Sequence, residues 1–171
     1  MEKINLYMKK IFRLSLLLAT TLVFVCCEKE DICTKEDPTT AGVVVEFFND
    51  TIRLDTNKIP ANLVAVVNGN STGILANGAK IELPLPVNNT NFEWNLVLNG
   101  ADEDTSNDVV DVLNFTYSVE QEYVSRACGY KANFILDENT PLQATYNWIR
   151  RIEIKNPNIL NPNETHVKVY F

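Results

Sequence analysis

The sequence predicts an all-β domain, an antiparallel β-sandwich of immunoglobulin-like plan with about eight short strands. Three observations predict it. Apolar and polar side chains alternate at period two in one run after another. The runs are short and are separated by Asn, Gly, Asp and Pro. Past the first forty residues almost no helical periodicity occurs. Alternation on one face only gives each sheet a wet side and a core side. A partly closed barrel is the second architecture that fits.

Before the first strand comes a different kind of sequence. "MEKINLYMKKIFRLSLLLATTLVFV" opens with a basic cluster, Lys9, Lys10 and Arg13, and continues as an apolar or small run to Val25. A membrane-spanning helix needs roughly 20 apolar residues, and this run is shorter. A basic start and a short apolar stretch form the pattern of a secretory signal peptide, removed on export. Met8 opens a more usual signal start than Met1.

The run ends on Cys26 and Cys27. A bacterial signal ending in cysteine looks like a lipoprotein signal, in which the residue after the cut takes lipid on its thiol. The residue before the cut must be small. Cys27 meets this because Cys26 precedes it, whereas bulky Val25 precedes Cys26. We therefore read residues 1–26 as a lipoprotein signal peptide and Cys27 as the lipidation site. Parity agrees, since cleavage there leaves Cys33 and Cys128 as an even pair. Disulfides persist outside the cytoplasm, so Cys33 is expected to pair with Cys128. The closed loop of about 95 residues corresponds to about 4 to 5 kcal/mol in the chain-entropy account. Zinc is the rival reading, but adjacent cysteines, a third six residues on and one distant His166 do not match structural-zinc spacing.

"EKEDICTKEDPTT" follows, charged and without apolar periodicity, and residues 27–40 read as an acidic tether. An acidic stretch behind an acylated Cys resembles a surface-export signal of Bacteroidetes lipoproteins; an ordinary periplasm-facing linker fits equally. Removal of residues 1–26 takes four of the 15 basic and one of the 22 acidic side chains, leaving a formal net charge of −10. That balance excludes a nucleic-acid partner, which needs a basic footprint, and electrostatic docking on anionic lipid. The remaining length suits one domain, residues 41–171.

The strands follow in order. "GVVVEFFND" is β-branched and aromatic and closes on a turn signal. "NLVAVVNGNSTG" closes on Asn-Gly and Ser-Thr-Gly. "AKIELPLPV" places Ile81, Leu83 and Leu85 on one face. Pro84 and Pro86 cannot donate to a ladder, which sends this strand to an edge. "NFEWNLVLNG" turns Phe92, Trp94, Leu96 and Leu98 inward. "VLNFTYSVEQEYV" alternates Phe115, Tyr117, Val119, Gln121 and Tyr123 with polar residues. "GYKANFILD" does the same with Tyr130, Ala132, Phe134 and Leu136. "NWIRRIEIKN" turns Ile152 and Ile154 in. "THVKVYF" turns Val167, Val169 and Phe171 in, and is expected to pair centrally so that its large terminal Phe is held.

Several of these segments together resemble a known family. "CEKEDIC", "KIELPL", "EYVSRACGYKANFIL" and "IRRIEIKNPNI…HVKVYF" are similar in order and spacing to a family of small Bacteroidetes lipoproteins classed as a domain of unknown function. The likeness rests on the Cys-Glu-Lys-acidic-acidic-Ile-Cys start and the Val-Ser-x-x-Cys-Gly motif, and covers nearly the whole mature chain. It implies lipid on Cys27 and a Cys33–Cys128 pair, and brings no catalytic residue. The stretch "NGADEDTSND" looks longer than that family's turn, so nothing carries onto it.

The remaining candidates are weighed on their own chemistry. His166 shares a face with Lys168 and Tyr170, which reads as solvent, and no second His or Gly-x-Ser-x-Gly accompanies it. Asp102, Asp104 and Asp108, with Glu103 and Asp111, form an acidic stretch that offers oxygen ligands to calcium, although the EF-hand order fails. A solvated acidic loop is the plainer reading, and no metal or other cofactor is called for. Trp94 reads as core; Trp148 opens its strand and is the better exposed candidate for stacking on a ligand. "DTI" makes Thr51 a candidate for O-glycosylation. The expected protein is an outer-membrane lipoprotein, facing periplasm or cell surface. It would bind or support an envelope protein or glycan without catalysis. The alternative is an envelope carbohydrate hydrolase using paired carboxylates such as Glu120 and Glu122.

Overall fold

Period-two alternation is satisfied by pairing strands so that one face of each sheet is dry. The computed structural model describes residues 10–13, 15, 32–34, 39–51, 55–67, 73–140, 142 and 144–171. Cys26, Cys27 and most of the expected signal peptide lie outside them. Two compact units are distinguished, Met1–Asp37 with Ser125–Gly129, and Pro38–Val124 with Tyr130–Phe171.

The second unit carries the sandwich, except for Ser125 and Gly129, the strand residues that flank the turn in the first unit. Its strands are β1 (Val43–Phe48), β2 (Val64–Val66), β3 (Ile74–Leu75), β4 (Lys80–Leu83) and β5 (Asn91–Leu98). They continue as β6 (Val109–Ser125), β7 (Gly129–Leu136), β8 (Arg151–Ile154), β9 (Asn158–Ile159) and β10 (Val167–Tyr170). A four-stranded sheet has the order β4-β1-β10-β8 and a six-stranded sheet the order β3-β2-β5-β6-β7-β9. The fold is therefore all-β, with two sheets face to face. Two more strands occur among the described residues than the eight expected runs, the two-residue β3 and β9. Among the described residues one pairing departs from the antiparallel rule: β1 and β10 run parallel, Val45 opposite Val167 and Phe47 opposite Val169.

Two placements follow from sequence chemistry. The strand that runs into Pro84 and Pro86, β4, is an edge, as ladder donors require. The terminal strand β10 lies between β1 and β8, and its neighbour Phe171 sits edge-on to Phe47 and Trp148 at ring separations of 6.2 and 5.3 Å. Such pairs add about 0.5–1.5 kcal/mol beyond area burial.

The core lies between the inner faces. Val43, Val45 and Phe47 of β1, Ile81 and Leu83 of β4, and Val167 and Val169 of β10 face Trp94 and Leu96 of β5, Leu113, Phe115 and Tyr117 of β6, and Phe134 and Leu136 of β7. The outer face of the four-stranded sheet is covered along β1, although Lys80 and Glu82 of β4 and Arg151 and Glu153 of β8 stay exposed. All six residues of β1 are buried, Glu46 included, so alternation there separates apolar from polar without separating dry from wet.

Candidate functional site

The feature that the sequence singled out most clearly is the turn between β6 and β7. Cys33 and Cys128 form a disulfide there, Cα atoms 4.9 Å apart across 95 residues of sequence. The Cys128 N–H donates to Ser125 Oγ at 3.0 Å. Gly129 follows at φ 70°, a backbone region open to glycine and costly for branched residues. Farther along β7, the Ala132 N–H donates to Thr40 Oγ1 at 2.8 Å. The expected tether is thus held at two points.

Beside this turn the inward register of β6 and β7 runs past the core. Phe115 and Tyr117 are buried, Val119 is half-buried, and Tyr123 is 55% exposed. On β7, Phe134 and Ala132 are buried and Tyr130 is 67% exposed. The two tyrosines pair edge-to-face at 5.4 Å.

Three expectations for individual residues are corrected. Trp148 is not an exposed stacking platform. It is buried against Phe47 and Phe171, and its Nε1–H donates to the Leu96 carbonyl at 3.3 Å. The segment before β8 turns inward, its backbone tied to Asp111 near the start of β6 and its indole set against Phe47 of β1. His166 does not face solvent: it is fully buried. Its Nδ1 accepts the Val44 N–H at 2.9 Å, and its carbonyl accepts the N–H groups of Lys155 and Asn156. Burial lowers its pKa, while Glu164 and Glu82 pull the other way. The alternation that put it outside was correct in parity, but the outer face is covered where His166 lies against β1.

The third correction concerns Asp111, which the sequence groups with the exposed acidic stretch. Asp102, Asp104 and Asp108 are exposed or half-buried and do not converge; among the described residues no cluster of three His, Cys, Asp or Glu side chains could hold a metal ion. Asp104 instead caps a 3-10 turn at Thr105–Asn107, accepting from the Ser106 N–H and hydroxyl, and these two bonds lower its pKa. Asp111 leaves the group altogether. It is fully buried, and one carboxylate oxygen accepts from Thr145 Oγ1 and the Asn147 N–H, both at 2.7 Å. The other accepts from the N–H groups of Trp148 and Ile149 at 2.8 and 2.7 Å. Four donors satisfy a buried charge that would otherwise be prohibitive.

Thr51 is exposed, its hydroxyl donating to Asn49 Oδ1 at 2.7 Å. Trp94 is buried, with its Nε1–H on the Pro84 carbonyl at 3.2 Å. Glu120 and Glu122 are both exposed on β6. Asn133 and then Lys131, 3.0 Å away, hold the Glu122 carboxyl below its ordinary range, so that group is a poor proton donor.

Sequence reasoning missed the outer face of the four-stranded sheet. Lys80, Glu46, Lys168 and Glu153 sit opposite one another across β4, β1, β10 and β8, a row of alternating charge of the kind that stabilises neighbouring strands. Burial pushes the Glu46 carboxyl up, but hydrogen bonds from Thr165 and Asn57 and the charge of Lys80 outweigh it and hold the pKa low. Asp55 accepts from both Lys168 and Tyr170. Lys80, Lys155, Glu164 and Thr165 line a polar cleft of about 570 Å³ over Glu46. The signal was present in the sequence as Glu46, alone in an otherwise apolar run.

No curated protein and no solved structure matches the chain. A family of unknown function, DUF6452, matches residues 62–171, which is more than half of the chain, and the protein belongs to that family.

Proposed function

We propose that the protein is a lipid-anchored envelope lipoprotein of the Bacteroidetes type, a binding or structural module without catalysis. The observation that carries this reading is the Cys33–Cys128 bridge. A disulfide is at home in an oxidising compartment, which fits export by the basic and apolar N-terminal segment. It also uses two of the four cysteines, so that cleavage before Cys27 leaves one thiol for acylation and no spare. The proposed address is the outer membrane, facing periplasm or cell surface, with an envelope protein or glycan as partner.

The chemistry of the polar groups supports the non-catalytic part. His166 has one nitrogen committed to a backbone donor, Asp111 has four donors, and Glu122 is kept ionised by its neighbours. Each is engaged in holding the fold. Thr51 is exposed, which supports its reading as a site of O-glycosylation. Intact-mass analysis of the protein extracted from membranes tests the anchor. We expect a chain beginning at Cys27 with an acyl increment, and no alkylation of Cys33 or Cys128 before reduction. A mature species without the increment, or with two alkylatable thiols, would overturn the reading.

A further inference from the structure

We propose that Tyr123 and Tyr130 rest in the headgroup layer of the bilayer that holds Cys27, so that the β6–β7 turn is the membrane-facing end of the domain. This rests on the lipid-anchor reading and adds an orientation to it. The first argument is covalent reach. Cys33 follows Cys27 by six residues and is bonded to Cys128 in the turn. At no more than about 3.6 Å per residue, that chain spans at most about 22 Å. The turn therefore stays close to the membrane whatever path the six residues take, and Tyr123 and Tyr130 lie five and two residues from Cys128.

The second argument is the kind of surface. Both rings belong to the inward register that supplies Phe115, Tyr117 and Phe134 to the core, yet both are more than half exposed and touch each other edge-to-face. An apolar ring with a hydroxyl tip suits the boundary between hydrocarbon and water, where tyrosine is enriched. The third argument is charge. The mature chain is strongly acidic, but from 119 to 132 Glu120 and Glu122 balance Arg126 and Lys131. Lys131 is paired to Glu122 at 3.0 Å and mostly covered, so the hairpin that carries the two rings is itself neutral, and the acidic side chains near it belong to the tether that the anchor already holds at the surface. A protein partner would use the same rings, but the tether's reach favours the bilayer.

The test uses the acylated chain in protein-free phosphatidylcholine vesicles, compared with the Cys27→Ser chain in solution, under enzyme-catalysed iodination with peptide mapping. Intact mass first establishes the acyl increment. The expected result is at least fivefold less iodination of Tyr123 and Tyr130 on vesicles. Tyr146, 52% exposed, should react equally in both forms. Equal labelling of the pair in both forms, with the acyl group present, overturns this inference and leaves the anchor standing. Protection only in native membranes, and not in protein-free vesicles, assigns the rings to a protein and also overturns it. Absence of the acyl group overturns both readings.

Discussion

The two ends of β6 are held by opposite means. At its start, Asp111 points into the core beside Leu96 and takes four hydrogen bonds from the 145–149 segment. At its far end the same register presents Tyr123 to solvent, and the turn beyond is fixed by a covalent bridge. A strand of 17 residues at about 3.3 Å each runs about 56 Å, longer than the core it crosses. Where burial is available, a satisfied charge closes the end. Where burial runs out, a disulfide replaces it. One device is cooperative with the whole fold and the other constrains a local segment.

Removing Asp111 should have the largest effect. Asp111→Ala would strand three buried or part-buried backbone N–H groups and one hydroxyl, each worth about 1–3 kcal/mol when unsatisfied, with partial relief from water. A loss on the order of 3–5 kcal/mol in urea unfolding is expected. Asp111→Asn should be nearly as damaging, because its amide nitrogen would face two donors in either orientation. A well-folded Asn variant within 1 kcal/mol of the parent would show that the carboxylate is not what closes this end.

The bridge should matter less than its loop length implies. In the unfolded chain it closes about 95 residues, but in the folded one Thr40 is already tied to Ala132, leaving a loop of about eleven. The difference in closure entropy, (3/2)RT ln(95/11), is about 2 kcal/mol, against the 4 to 5 of the simple estimate. Unfolding of the Cys33→Ser, Cys128→Ser protein measures it. A loss near the larger figure would mean that the chain from Cys33 to Thr40 is fixed by contacts of its own.

His166 stands between these cases, buried like Asp111 but with only one nitrogen partnered among the described residues. Because Nδ1 accepts from Val44, the proton sits on Nε2, and a second proton would set two donors against each other. Its folded pKa lies below its ordinary value of 6.5, so the unfolded chain takes up the proton first as pH falls. The stability from neutral His166 is complete above about pH 6.5. It declines as pH falls below that value, until the folded pKa is reached. Glu46, also lowered, adds a second loss below its ordinary value of 4.5. Proton NMR reads the first directly, since the chain has a single histidine. A midpoint at or above 6.5 would contradict the burial of this side chain.

The legible parts of the fold were those fixed by backbone chemistry. Prolines placed β4 at an edge, and cysteine parity paired Cys33 with Cys128. What stayed hidden depended on what lies across from a residue. Asp111 falls on the parity of Leu113, Phe115 and Tyr117, so its inward direction was readable. Its partners 34 to 38 residues away were not, and it was grouped with its acidic neighbours. His166 and Trp148 were misplaced because alternation reports which face a side chain takes and says nothing of what covers that face. Glu46 marks the same gap, being one carboxylate among five apolar residues of a strand buried on both sides.

The smallest effect is expected at the loop that Asp111 organises. Tyr146 lies there at φ 60°, half-exposed, between Thr145 and Asn147, both of which donate to that carboxylate. A tyrosine in the left-handed region is strained by the contact between Cβ and the following carbonyl, by about 1 kcal/mol, whereas asparagine visits it readily. Tyr146→Asn should therefore raise the stability by up to about 1 kcal/mol, read as a higher urea midpoint with an unchanged slope. In Asp111→Ala the loop is free to leave this conformation, so the same substitution should gain little. A gain of equal size in both backgrounds would show that the backbone at position 146 is held by something other than the buried carboxylate, and the contrast between the two ends of β6 would lose its first term.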